Sequence, residues 1–318
     1  MPRAVLTDYN GASLERHDMN LTVQNYHSPE ANREYMSCHQ FSNWMECPAR
    51  TKAELDGKFD QGDKEAFEIG GYIDCALLTP TDLQRWWNQH QGSMIDLGLL
   101  SKAKATYGAK NAKMQYADAM IRRAMSLPEF MARLDGEAQT IFTAELFGMK
   151  WRIMVDAYKH AENQMTDLKS SKSIRGMNWF DRDTIFDFMA GTDGNNRWRG
   201  DFIDEYNYWR QIGVYRTIIS SAMKVDPPDA WIAAISKEKL PGHSDLAKAE
   251  DQIPVGIYHM ADERAMKIEL DFIEMVMPQV ISWKLGYVDA PHCDRCAYCA
   301  MIHPIDRREA YSSYRRVS

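Results

Sequence analysis

The chain lacks any run of apolar residues approaching the roughly 18 that a membrane-crossing helix requires, so no span of that kind is expected. Its opening stretch, MPRAVLTDYNGASLERHD, lacks the apolar core of a secretory signal, and a cytoplasmic protein is expected. Internal repeats, low-complexity tracts and long Pro/Gly/Ser linkers are also missing. Nothing therefore divides the 318 residues, and a single domain is expected over 1–318. Cysteine is scarce, with six residues, and in a reducing compartment these predict no disulfide framework. Excess positive charge is missing as well. A formal net charge of −7 argues against a protein that merely coats nucleic acid. It does not argue against a nuclease, because a metal site needs carboxylates and a local basic groove can coexist with an acidic exterior.

What is present is an ordinary globular composition, 45% hydrophobic and 26% charged, enough to build a core. Residues 1–30 read as an irregular polar segment. Ser37 can cap a short helix that ends before Pro48, with Phe41, Trp44 and Met45 as its buried face. Helical patterns follow over Glu65–Leu78, from Thr81 or Asp82 through Trp87, and over Ala103–Leu127. The pattern then changes. Residues 139–147 and 150–158 alternate polar and apolar around Gly148, predicting a β-hairpin. A third strand is expected at Met165–Lys169, and two more at Ala230–Ser236 and Val255–His259. Helical spacing returns over Phe202–Met223 and Asp262–Lys284. This order predicts an α/β fold, a central mixed sheet flanked by helices with an N-terminal helical region.

Chemistry concentrates around Asp156 and the triplet Asp167-Leu168-Lys169. On a strand, residues two apart share a face, so Asp167 and Lys169 project together. If strands 150–158 and 165–169 are neighbours, Asp156 joins them. Two carboxylates and the Leu168 backbone carbonyl then offer hard oxygen ligands suited to Mg²⁺ or Mn²⁺. Lys169 could orient a water or neutralise charge on a phosphate. An Asp-x-Lys triplet alone means little, since about one is expected by chance in a chain of this length. The preceding hairpin and a later helical pair, Gln211 and Tyr215 on one face, add context. Glu145 is a further possible ligand.

A second group is Cys293-x-x-Cys296-x-x-Cys299. These are three soft ligands that Cys47, His292 or His303 could complete, for zinc or an iron–sulfur cluster. Reduced thiols without metal are the plain alternative. Arg307, Arg308, Arg315 and Arg316 make the tail from 290 to 318 basic as well as Cys-rich.

The segments YHSPEANREYMSCHQFSNWMECPART, FEIGGYIDCALLTP, MKWRIMVDAY with TDLKSSKS, QIGVY, WIAAISKEKLPGHS with VGIYHM, and PHCDRCAYC occur in an informative order. Together they resemble the phage RecE-type recombination exonucleases, RecB-like and lambda-exonuclease-like members of the PD-(D/E)xK nucleases. The resemblance spans roughly residues 26–300. It implies that Asp156 and Asp167 ligate metal, that Lys169 is the catalytic lysine, and that Gln211 and Tyr215 support the site or contact DNA. Asp74 stands where these relatives commonly carry a metal-binding histidine, which either preserves ligation through oxygen or alters activity. The implied activity is Mg²⁺-dependent exonuclease digestion of duplex DNA ends, 5′→3′, in recombination or end resection. A homo-oligomeric ring, a single-strand annealing partner and a bacterial or phage-infected host cell are implied with it. The cysteines loosely resemble those that hold an iron–sulfur cluster in helicase-linked and CRISPR-adaptation nucleases. An endonuclease of that type, or a decayed DNA-binding or assembly module, is the alternative.

Overall fold

Caps and prolines punctuate the N-terminal half. The computed structural model describes residues 19–60, 64–181, 197–238 and 250–302. The remainder of the irregular N-terminal segment, His303, the basic tail and the Pro-Gly-His-Ser of the motif at 231–244 lie outside the described residues. Helix α1 (Pro29–Glu34) is capped by Ser28, whose hydroxyl accepts from the Ala31 amide. Helix α2 (Cys38–Glu46) is capped by Ser37 through the Gln40 amide, as the sequence predicts. Pro48 opens a further helix, α3 (Pro48–Leu55), at a first position where its missing N–H costs nothing. Then come α4 (Lys64–Leu78), α5 (Leu83–Asp96), α6 (Ala112–Met125) and α7 (Pro128–Leu134). The expected helix over Ala103–Leu127 is shorter than its composition suggests. Gly108 adopts φ +78°, and the chain re-enters helix only after Asn111 caps Met114.

Strands β1 (Glu137–Leu146) and β2 (Met149–Lys159) form the predicted hairpin. Its turn places Phe147 at φ +51° and Gly148 at φ +80°, the left-handed pair of a type I′ connection. Strand β3 (Gln164–Ser171) pairs antiparallel with β2. A separate antiparallel pair, β4 (Asn178–Asp181) and β5 (Arg197–Gly200), follows. Helices α8 (Phe202–Glu205) and α9 (Tyr208–Met223) replace the single helix expected over Phe202–Met223. The break is Asn207, held at φ +55°, a conformation asparagine tolerates better than most residues. Strand β6 (Asp229–Ser236) runs parallel to β3, and β7 (Val255–His259) antiparallel to β6. Helix α10 (Glu263–Leu285) begins at the Asp262 cap and stops at Gly286, φ +76°. Helix α11 (Ala297–Ile302) ends the described chain.

The central sheet is mixed, in the order β1-β2-β3-β6-β7, with helices on both faces. One core packs Phe41 and Trp44 of α2, Ile218 of α9 and Ile273 of α10 against Ile153, Met165 and Ile232 of the sheet. The other packs Ile73 of α4, Met120 of α6 and Phe130 of α7 against Leu168, Ala233 and Ile235. Alternation along β3 therefore sends Leu168 to the second core and leaves Asp167 and Lys169 on the opposite face.

Candidate active site

Strands β2 and β3 pair at Ala157↔Thr166, Tyr158↔Met165 and Lys159↔Gln164, and their backbone ladder stops there. At the next position Asp156 supplies what the ladder lacks, its Oδ2 accepting from the Leu168 N–H at 2.7 Å. An extended residue directs its N–H and C=O to the same strand edge, so the Leu168 carbonyl also faces this gap. Asp167 is 2% exposed. Its Oδ1 accepts from Gln211 Nε2 of α9 at 3.1 Å. Its Oδ2 lies 2.5 Å from Lys169 Nζ in an ion pair but accepts no well-directed hydrogen bond. Asp74 comes from α4 and faces the same cleft.

The electrostatics show how closely these groups crowd. Burial pushes Asp156 well above the usual carboxylate range, and the charges of Asp167 and Asp74 push it further. Burial likewise raises Asp74 to about 7, with Lys169 pulling against the shift and Asp167 adding to it. Burial alone would lower Lys169, yet Asp167, Tyr208 and Asp156 outweigh it and hold the ammonium above its ordinary value. Asp74, Asp156 and Asp167 share the cleft with Lys169, and Asp167 Oδ2 is short of donors. Carboxylate and carbonyl oxygens are the donor type a hard divalent cation takes, and Asp74, Asp156, Asp167 and the Leu168 carbonyl are the groups that could offer them here.

Gln211 and Tyr215 both line the cleft. Burial raises Tyr215 well above its ordinary value, with Tyr26 and Asp167 contributing. Glu145 corrects the sequence expectation. It is exposed and pairs in register with Lys150 near the hairpin tip. The register position opposite Asp156 is Gln139, between Ala138↔Ala157 and Thr140↔Val155. Six residues of strand, roughly 20 Å, separate Glu145 from that position, so it cannot ligate the same ion.

Sequence reasoning missed several members of the cleft, among them Cys38, Arg152, Tyr208 and Arg210. The Tyr208 ring centroid lies 5.1 Å from Lys169 Nζ. A signal for Tyr208 was available, since 208, 211 and 215 fall at i, i+3 and i+7 on one helix face. None existed for Arg210, whose guanidinium pairs with Glu269 of α10 at 2.9 Å.

Away from the cleft, the sulfurs of Cys47, Cys293, Cys296 and Cys299 all lie within 4.8 Å of one another. Neither histidine is needed to complete the group, and His303 lies outside the described residues.

Residues 37–301 match the family described as a PDDEXK-like domain of unknown function (DUF3799), and the chain belongs to that family. Its fold is similar to a crystal structure of a candidate exonuclease from Eubacterium rectale. The TM-score is 0.73 at 24% identity, over 92% of this chain and 97% of that one. A search of curated proteins finds no match. The PD-(D/E)xK recognition made from sequence motifs and the mixed α/β fold are thus borne out.

Proposed function

We propose that this chain is a metal-dependent deoxyribonuclease that degrades linear duplex DNA from its ends. The observation that carries the reading is the convergence of Asp74, Asp156 and Asp167 with Lys169 at the point where β2 and β3 part. Membership of a PDDEXK-like family supports it. Bound Mg²⁺ or Mn²⁺ would polarise the scissile phosphate and activate a water. The protein's own residues do the rest. Gln211 fixes the Asp167 carboxylate, and Lys169 sits where it can orient the attacking water or offset charge on the phosphate. Asp74 takes the place of histidine with an oxygen ligand. Tyr215 lines the wall beside Gln211. The whole chain, 1–318, acts as one nuclease domain. Digestion in the 5′→3′ direction, a role in recombination or end resection, a homo-oligomeric ring and a single-strand annealing partner complete the proposal. These follow from the resemblance to RecE-type exonucleases. No helix among the described residues is long and apolar enough to cross a membrane.

The test uses end-labelled linear duplex and covalently closed circles with Mg²⁺ or Mn²⁺. Mononucleotide release from linear DNA alone is expected. Nicking of circles would make the chain an endonuclease, and binding without cleavage would make it a DNA-binding module.

A further inference from the structure

The four-cysteine group joins chain segments almost 250 residues apart and holds them by more than its sulfurs. Cys47 caps α3, its sulfur accepting from the Arg50 N–H at 3.4 Å. The backbone N–H groups of Arg295 and Cys296 point at the Cys293 sulfur, and that of Asp294 at Cys299. Arg50 lies close enough to Cys296 to interact with it electrostatically, which places a cation beside the group. All six cysteines are free, so no disulfide already ties these sulfurs.

Spacing identifies the occupant. Cys47 and Cys299 sulfurs are 3.6 Å apart, Cys293 and Cys299 3.9 Å, and no pair exceeds 4.8 Å. A tetrahedral ion with Zn–S bonds near 2.3 Å sets its four sulfurs about 3.8 Å apart. A four-iron cluster binds each thiolate on a different iron and spreads the sulfurs to about 6 Å or more. We propose that Cys47, Cys293, Cys296 and Cys299 hold one zinc ion as a closed tetrathiolate. With four protein ligands no position stays open for water or substrate, so the site is structural.

What it stabilises is the cleft wall. Arg50, Thr51 and Glu54 of α3 line the cleft. The C-terminal segment reaches the same wall, with Ala49 N–H bonded to Pro291 O and the Tyr298 ring edge-on to Phe59 at 5.2 Å. Zinc therefore fastens α3 from behind while its front lines the cleft. This inference does not depend on the nuclease reading.

The experiment is elemental analysis and visible spectroscopy of the full chain purified without chelator under anaerobic conditions. Wild type and Cys75→Ser, whose thiol lies elsewhere on α4, should each carry about one zinc per chain, and Cys296→Ser below about a tenth of that. Cobalt exchanged into wild type should give the visible bands of a tetrahedral tetrathiolate. That arm needs no variant, and so stands even if Cys296→Ser fails to fold. Iron with acid-labile sulfide, or wild-type protein free of bound metal, would overturn the proposal.

Discussion

Asp74 combines a position in the carboxylate group with a charge its surroundings resist. Burial and Asp167 raise its pKa to about 7 against the pull of Lys169. Asp74→Asn removes one of the crowded charges and one charged ligand together. The variant should need roughly tenfold more Mg²⁺ for half-maximal cleavage, as expected when a carboxylate ligand is lost. Without metal it should melt no lower than wild type, because like-charge repulsion is relieved. Magnesium titration and thermal melting of the same sample check both halves, and a lower melting point with unchanged magnesium demand would make Asp74 a merely structural group.

Lys284 is a second residue whose surroundings oppose its charge. It is 4% exposed and donates to Asn32 O, Tyr35 O and Gln40 Oε1 at 2.8, 2.6 and 2.6 Å. Burial, helped by the charge of Arg152, lowers it to about 7. Between about 7 and the ordinary lysine value near 10.4, the unfolded chain binds a proton that the folded chain lacks. This group therefore makes stability rise with pH across that window, its full cost being present below it. Urea midpoints from pH 7 to 10 should climb more steeply for wild type than for Lys284→Met. Parallel slopes would mean that the three acceptors keep the ammonium charged.

At this scale the sequence was informative where chemistry follows the period of one strand. Asp167 and Lys169 are two residues apart and share a face, and Asp156 needed only adjacent strands. Cys38 and Arg210 reach the cleft through contacts between elements distant in the chain, which local spacing does not encode.

Among the elements, α9 and α10 are joined by the Arg210–Glu269 pair, buried at 2% and 3% exposure. Phe41 and Phe272 lie near the guanidinium, their ring centroids 5.3 and 5.4 Å away. Removing one partner takes from the other its buried counter-ion, so Glu269→Leu or Arg210→Leu should each cost about 3–5 kcal/mol. The double substitution should recover much of that loss, since a buried pair can be replaced by apolar groups of similar volume. Chemical denaturation of the three variants measures it, and additive losses would show that the pair is not the coupled unit described. Hairpin, sheet strands and the span of α10 were legible because period-2 alternation around Gly148 and helical spacing over Asp262–Lys284 agree with the structure. The breaks at Gly108 and Asn207 were not, because each interrupts a helical pattern through backbone conformation.

Across the molecule, an acidic chain of net charge −7 gathers its candidate site residues in a cleft of about 1370 Å³. Arg50, Lys58, Arg152 and Arg210 line that cleft together with the carboxylates. Of these, Lys58 is exposed whereas Arg152 and Arg210 are buried, so few cations reach the cleft surface. Salt should weaken DNA binding through these few contacts. The central claim is that Asp167 and Lys169 perform the chemistry there. It is tested most directly by following digestion of end-labelled linear duplex with Mg²⁺ by wild type, Asp167→Asn and Lys169→Met, alongside DNA binding and melting. The account predicts cleavage at least about 100-fold slower in both variants, with binding and fold retained. Near-wild-type digestion by either variant would contradict it.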